Sequence, residues 1–105
     1  MVKNYSLKWT NKASLRLKDI YNWYLDNYGK KRATKVKKSI ITIAEKIIDN
    51  PFLYPICDKL ELPNELIRNA LVHKTYWVVY EIKDNNIFIL QILHAAINPD
   101  EYLSI

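Results

Sequence analysis

The chain predicts an α+β fold of two layers: an N-terminal strand, an antiparallel two-helix hairpin, then a three-stranded antiparallel meander. Three observations carry that expectation. Two long segments repeat apolar residues every three or four positions, with the single glycine of the chain between them. Three later runs are rich in Val, Ile, Leu, Tyr, Phe and Trp and are broken only by short polar stretches. The length, 105 residues, is one domain's worth, so residues 1–105 are read as a single domain with no linker.

Each element has its own reason. From Tyr5 to Trp9 the chain alternates, Tyr5, Leu7 and Trp9 on one side and Ser6 and Lys8 on the other, which is the period of a half-buried strand. Thr10 or Asn11 then offers an N-cap oxygen. Ala13, Leu17, Ile20, Tyr21, Tyr24 and Tyr28 form one helical face, and the helix is expected to stop at Gly29, where a left-handed residue fits. A second stripe, Ala33, Val36, Ile40, Ile43 or Ala44, and Ile47, runs to the stop at Asn50-Pro51, with Lys31, Lys35 and Lys38 on other faces. So short a connection requires the two helices to fold back on each other. Pro51 to Pro63 reads as an irregular connection. Strands are expected at Leu66 to His73, Tyr76 to Ile82 and Ile87 to His94, with turns at Lys74-Thr75 and at Lys83 to Asn86. The last run, IFILQIL, is nearly continuous in apolar side chains and should lie at the centre of the sheet, covered on both faces.

Composition narrows the function. Half the residues are hydrophobic and 26% are charged, the balance of a compact domain rather than a disordered chain. Cys57 has no partner for an internal disulfide, and His73 and His94 stand too far apart for a zinc motif, so no metal or other cofactor is expected. The lone glycine cannot build a phosphate-cradling loop. No leader-like stretch and no run of about 18 apolar residues is visible, so the reading is a cytoplasmic protein without a membrane partner. The net charge of +5 conceals a division: residues 1–44 hold eleven Lys and Arg against two acids, and residues 45–105 hold five against nine. A cationic half of this kind attracts an anionic partner, nucleic acid or an acidic protein segment, or else serves as a solvated helix face.

Taken together, the opening WTNKASLRLKDIYNWY, the stop NPFLYP, Arg68 at the start of the second strand, TYWVVYEI and ILQILHAAINP stand in an order and spacing that resembles the RelE/ParE superfamily of toxins. These belong to bacterial type II toxin-antitoxin modules, and the resemblance covers almost the whole chain. It implies a plasmid-stabilisation type of toxin, neutralised by a cognate acidic antitoxin, with one of two activities. RelE-like members are ribosome-dependent endoribonucleases that cut messenger RNA, and ParE-like members inhibit DNA gyrase.

On the RelE-like reading the catalytic residues would be Arg68, His94 and Tyr102, with Lys74 nearby: a cation for phosphate, and groups to move protons. Arg68 can hold a phosphate bidentately or stand as a surface residue. His94 can transfer a proton at neutral pH or act as a hydrogen-bonded structural residue, and Tyr102 can stack on a base or pin the tail. His73, beside a turn, is read as structural or solvent-facing, and Cys57, with no basic flank, as an inert thiol. The stretch after His94 departs from many relatives, with Ala95, Ala96 and Ile97 where they carry arginine. Losing one such donor costs about 10² to 10³ in rate, which favours the ParE-like activity, or a degenerate member that binds antitoxin without toxicity. Trp23 lies off the main helical stripe, and with Lys31, Lys35 and Lys38 it is expected to receive the antitoxin. Oligomeric state leaves no signature in the sequence.

Overall fold

The computed structural model describes residues 4–57 and 64–95. Its elements are β1 (Ser6–Trp9), α1 (Asn11–Tyr28), α2 (Lys30–Asp49), β2 (Ile67–Val72), β3 (Tyr76–Lys83) and β4 (Asn86–His94). One sheet holds the strands in the order β1-β4-β3-β2, with the last three antiparallel and β1 parallel to β4. The helical hairpin therefore spans one sheet face, leaving from one edge strand and returning to the other.

Thr10 joins the layers. Its hydroxyl accepts from the Ala13 N–H at 3.2 Å, capping α1, and donates to the Ile89 carbonyl at 2.7 Å, tying the cap to β4. Gly29 serves both helices: its N–H donates to Tyr24 and Leu25 carbonyls, and its own carbonyl accepts from Ala33. Its φ of 93° and ψ of 171° lie in a region essentially reserved for glycine, which is why the break falls there.

The buried residues of α1 and α2, among them Ala13, Ile20, Ile40, Ala44 and Ile47, pack on Ala70, Val72, Tyr76, Val78, Tyr80, Ile82, Ile87, Ile89 and Ile92. Along β4 the inward set runs 87, 89, then 92, because Val79 pairs with Gln91 while Tyr80 pairs with Ile89. A bulge at Leu90 accounts for the shift and for the nearly unbroken apolar run. The other sheet face is not bare: Cys57, Val79 and Leu93 are buried there against Ile67 and Trp77.

Two expectations need correction. The first hairpin turns at His73-Lys74, one residue earlier than the separator read in the sequence, with φ of 49° and 59° and the Thr75 N–H donating to the Val72 carbonyl at 2.9 Å. Two successive positive φ values match the strand twist, and the turn accepts them without glycine. The connection after α2 is not wholly irregular, since Ile56 bridges Arg68 and the backbone of Pro55 and Cys57 bonds Asn69 and Ile67, covering part of the β2 edge. Tyr28, which its spacing marks as core or groove lining, is 57% exposed and lines a groove beside the β2–β3 turn.

Candidate functional site

Two features of α2 create a basic surface beside the β2–β3 turn. From Lys30 to Ala44 the helix holds six lysines and arginines and no acid. Lys31, Lys35, Lys38, Thr42 and Lys46 recur at three- and four-residue steps, so they form one stripe about 22 Å long. That stripe faces the turn. Lys31, Arg32 and Lys35 line a groove of about 700 Å³ with Tyr24, Tyr28, Val36, Ser39, His73 and Thr75. Lys35, Lys38 and Lys46 line a second, of about 400 Å³, with Ile43, Leu71 and His73. The His73 ring nitrogen Nε2 lies 3.1 Å from Ser39 Oγ, so the turn is moored to the helix and its exposed imidazole belongs to the groove floor. The sequence expectation of a structural or solvent-facing His73 covers both roles.

The groove has an aromatic wall. The rings of Trp23, Tyr24 and Tyr28 lie with centroids 5.0 to 5.8 Å apart, and the Arg32 guanidinium stacks 5.0 Å from the Tyr28 centroid. Trp23 faces the far side of Tyr24, where Arg16, Asp19, Ile20, Tyr76 and His94 complete a third pocket of about 380 Å³. Tyr24 lines both cavities, so Trp23 and the lysines expected to act together occupy adjoining parts of one surface.

Arg16 and Tyr76 were not singled out from the sequence as site residues, whereas Tyr24 was placed on the apolar face of α1. The signal was present: Arg16, Asp19 or Ile20, and Trp23 are spaced as one helix face, the face on which Trp23 leaves the core stripe. Arg16 Nε donates to the Ile92 carbonyl at 3.2 Å, which orients the guanidinium across the end of β4. Burial first, and then the hydrogen bond and proximity of Tyr24, push the Tyr76 phenol above its ordinary pKa against the pull of Arg16. The His94 ring packs edge-on to Tyr76 at 5.4 Å.

Arg68 sits elsewhere. Its Nε donates to the Glu65 carbonyl at 3.0 Å, one Nη donates to the Tyr54 and Phe52 carbonyls at 2.9 and 3.2 Å, and the guanidinium lies over the Phe52 ring at 5.0 Å. It clasps the chain that follows α2. Arg68 pairs with Tyr80 and His94 with Tyr76, on opposite sides of β3. Four residues of strand and two strand spacings separate their Cα atoms by roughly 17 Å, too far to grip one phosphate group together. Tyr102 lies outside the described residues, as do Ala96 and Ile97. Among the described residues no group of three His, Cys, Asp or Glu side chains could hold a metal ion, and no helix is long and apolar enough to cross a membrane. Cys57 is buried in the second cluster.

The described residues thus form a two-layer domain with a cationic, aromatic-walled groove beside the β2–β3 turn. Comparison with known proteins places it more closely. The family model of the ParE toxin of type II toxin-antitoxin systems matches residues 7–99, and the chain belongs to that family. A solved structure described as the chromosomal ParDE toxin-antitoxin system from P. aeruginosa is similar at 25% identity and a TM-score of 0.73, over 86% of this chain and 95% of that one. A search of curated proteins returned no match.

Proposed function

We propose that this chain acts by inhibiting DNA gyrase, as a ParE-like toxin, and that an acidic, amphipathic segment of its antitoxin neutralises it along the Lys31–Lys35–Lys38 groove. The carrying observation is that groove: a stripe of lysines without an intervening acid, beside apolar footholds at Tyr24, Tyr28 and Val36. Carboxylates on a partner helix or strand would meet the lysines while its apolar side chains enter between them. Such a partner would order on binding, with long-range attraction accelerating the encounter. The paired system named in the P. aeruginosa structure supports a partner of this kind.

Support for gyrase over messenger RNA comes from the engaged state of Arg68 and its distance from His94. Cleavage through a 2′-hydroxyl needs a base, an acid and a cation converging on one phosphate. The test is co-expression with the small open reading frame next to the gene, followed by purification and a gyrase supercoiling assay. The wild type should form a complex, and free toxin should block supercoiling. The triple variant K31E/K35E/K38E should weaken the complex about tenfold or more, with a reduced salt dependence. Cleaved messenger in a translating extract, abolished by Arg68→Ala, would establish the RelE-like activity in its place. A complex without growth arrest or supercoiling block would mark a degenerate member.

A further inference from the structure

We propose that the pocket between α1 and the paired ends of β3 and β4 binds one nucleotide of a single-stranded nucleic acid, its phosphate on Arg16 and its base against Trp23. This site adjoins the lysine groove assigned to the antitoxin, sharing Tyr24 with it, and does not depend on that assignment.

Arg16 is preoriented for the task. Its Nε is held by the Ile92 carbonyl, while its two Nη groups make no hydrogen bond to another described residue. A guanidinium fixed at one nitrogen and open at the other two presents the parallel pair of donors that suits a phosphate. Trp23 supplies the flat partner: it is 53% exposed, yet its ring is fixed by contact with Tyr24 and Tyr28. Stacking of a base on such a ring does not depend on base identity. Between them the phenols of Tyr24 and Tyr76 form a polar floor, with burial raising the pKa of Tyr76.

Asp19, on the same wall, sharpens the ligand class. A carboxylate there opposes a second phosphate in the pocket and accepts from a sugar hydroxyl or a base amino group, so a nucleotide fits better than a bare polyanion. A volume of about 380 Å³ falls within the usual range for small-molecule sites. Tyr24 also lines the groove of Lys31 and Lys35, so the flanking phosphates of a strand have a cationic path on which to continue. An antitoxin seated on those lysines would block that path.

The full-length toxin should be titrated with fluorescent octamers of thymidine and of uridine, with adenosine monophosphate, with inorganic phosphate and with a Glu-rich peptide, reading anisotropy or tryptophan fluorescence. The proposal expects saturable binding of at least one octamer. It also expects a loss of tenfold or more in Trp23→Ala, recovery in Trp23→Phe, and a comparable loss in Arg16→Ala that Arg16→Lys only partly restores. Preference between the octamers identifies RNA or DNA as the source, and binding of adenosine monophosphate without either octamer would overturn the proposal of a strand. Three further results would overturn it: no saturable change with any nucleotide probe, equal affinity in wild type, Trp23→Ala and Arg16→Ala, or binding of phosphate or the Glu-rich peptide as tight as that of the octamers. Trp23 and Arg16 are not core residues, and circular dichroism of each variant establishes that it is folded before titration.

Discussion

Two arginines placed at opposite ends of the helix-covered sheet face have opposite fates. Arg68 is surrounded by carbonyl oxygens of Phe52, Tyr54 and Glu65 and by the Phe52 ring. Arg16 touches one carbonyl, that of Ile92, and looks into a cavity. Both carry the same charge and the same fork of donors. What differs is whether the neighbouring backbone uses that fork, and this decides which end of the sheet is closed and which is open to a ligand. Each end also holds a buried tyrosine, Tyr80 beside Arg68 and Tyr76 beside Arg16, so the two can be compared residue for residue.

The sharpest way to break the comparison is to remove each guanidinium in turn. Arg68→Ala strips several carbonyls of their donor and frees the chain after α2, at a cost of about 3 kcal/mol, whereas Arg16→Ala loses one partly exposed bond, about 1 kcal/mol or less. Urea unfolding of both variants reads the difference. Equal losses would mean that Arg16 is as structural as Arg68. Next in size is Gly29→Ala at the tip of the helical hairpin, beside the open groove. No atom lies within 4 Å of the position a Cβ would take, so its whole effect, about 2 kcal/mol, is the strain of placing alanine at that positive φ. A smaller change would show that the tip can reshape without disturbing the sheet. Thr10→Ala follows at about 1 kcal/mol, since it removes one helix cap and the tie from α1 to β4 that helps position Arg16.

These contrasts also mark what the chain itself discloses. Helix periodicity, the single glycine and the apolar runs are local signals, and they identified every element of the fold and the central place of β4. Whether Tyr28 lies in the core or in the groove was left open because periodicity says which residues share a face, not what packs against it, and the structure places it in the groove. The His73-Lys74 turn was displaced by one residue because neither residue advertises a positive φ as glycine would. The site was harder to read for a related reason. Whether an arginine is open or engaged depends on carbonyls brought from distant positions, Ile92 for Arg16 and Phe52 and Tyr54 for Arg68, and no spacing rule encodes them. The exposure of Trp23, Lys31, Lys35 and Lys38 was legible because it follows from the helix alone.

The smallest effect, and the most direct comparison of the two ends, lies at alkaline pH. Burial raises the phenol pKa of both Tyr80 and Tyr76 above the ordinary value of 10.0; Arg68 opposes the shift at one and Arg16 at the other. A folded-state pKa above the unfolded one means that the native protein binds more protons than the unfolded chain once pH exceeds about 10. The stabilisation is therefore fully present below that pH and is lost progressively as pH climbs toward the folded values. Tyr80 has the further constraint that its hydroxyl donates to the buried Pro51 carbonyl, a bond that a phenolate cannot make. Spectroscopic titration should thus show Tyr76 and Tyr80 ionising only with unfolding. Tyr80→Phe and Tyr76→Phe should each remove one of these late groups and flatten the decline of stability with pH. If Tyr76 instead ionises in the folded protein while Tyr80 does not, water reaches the floor of the Arg16 pocket more freely than the packing of Tyr24 against it implies, and the open end of the sheet is more open than its geometry indicates.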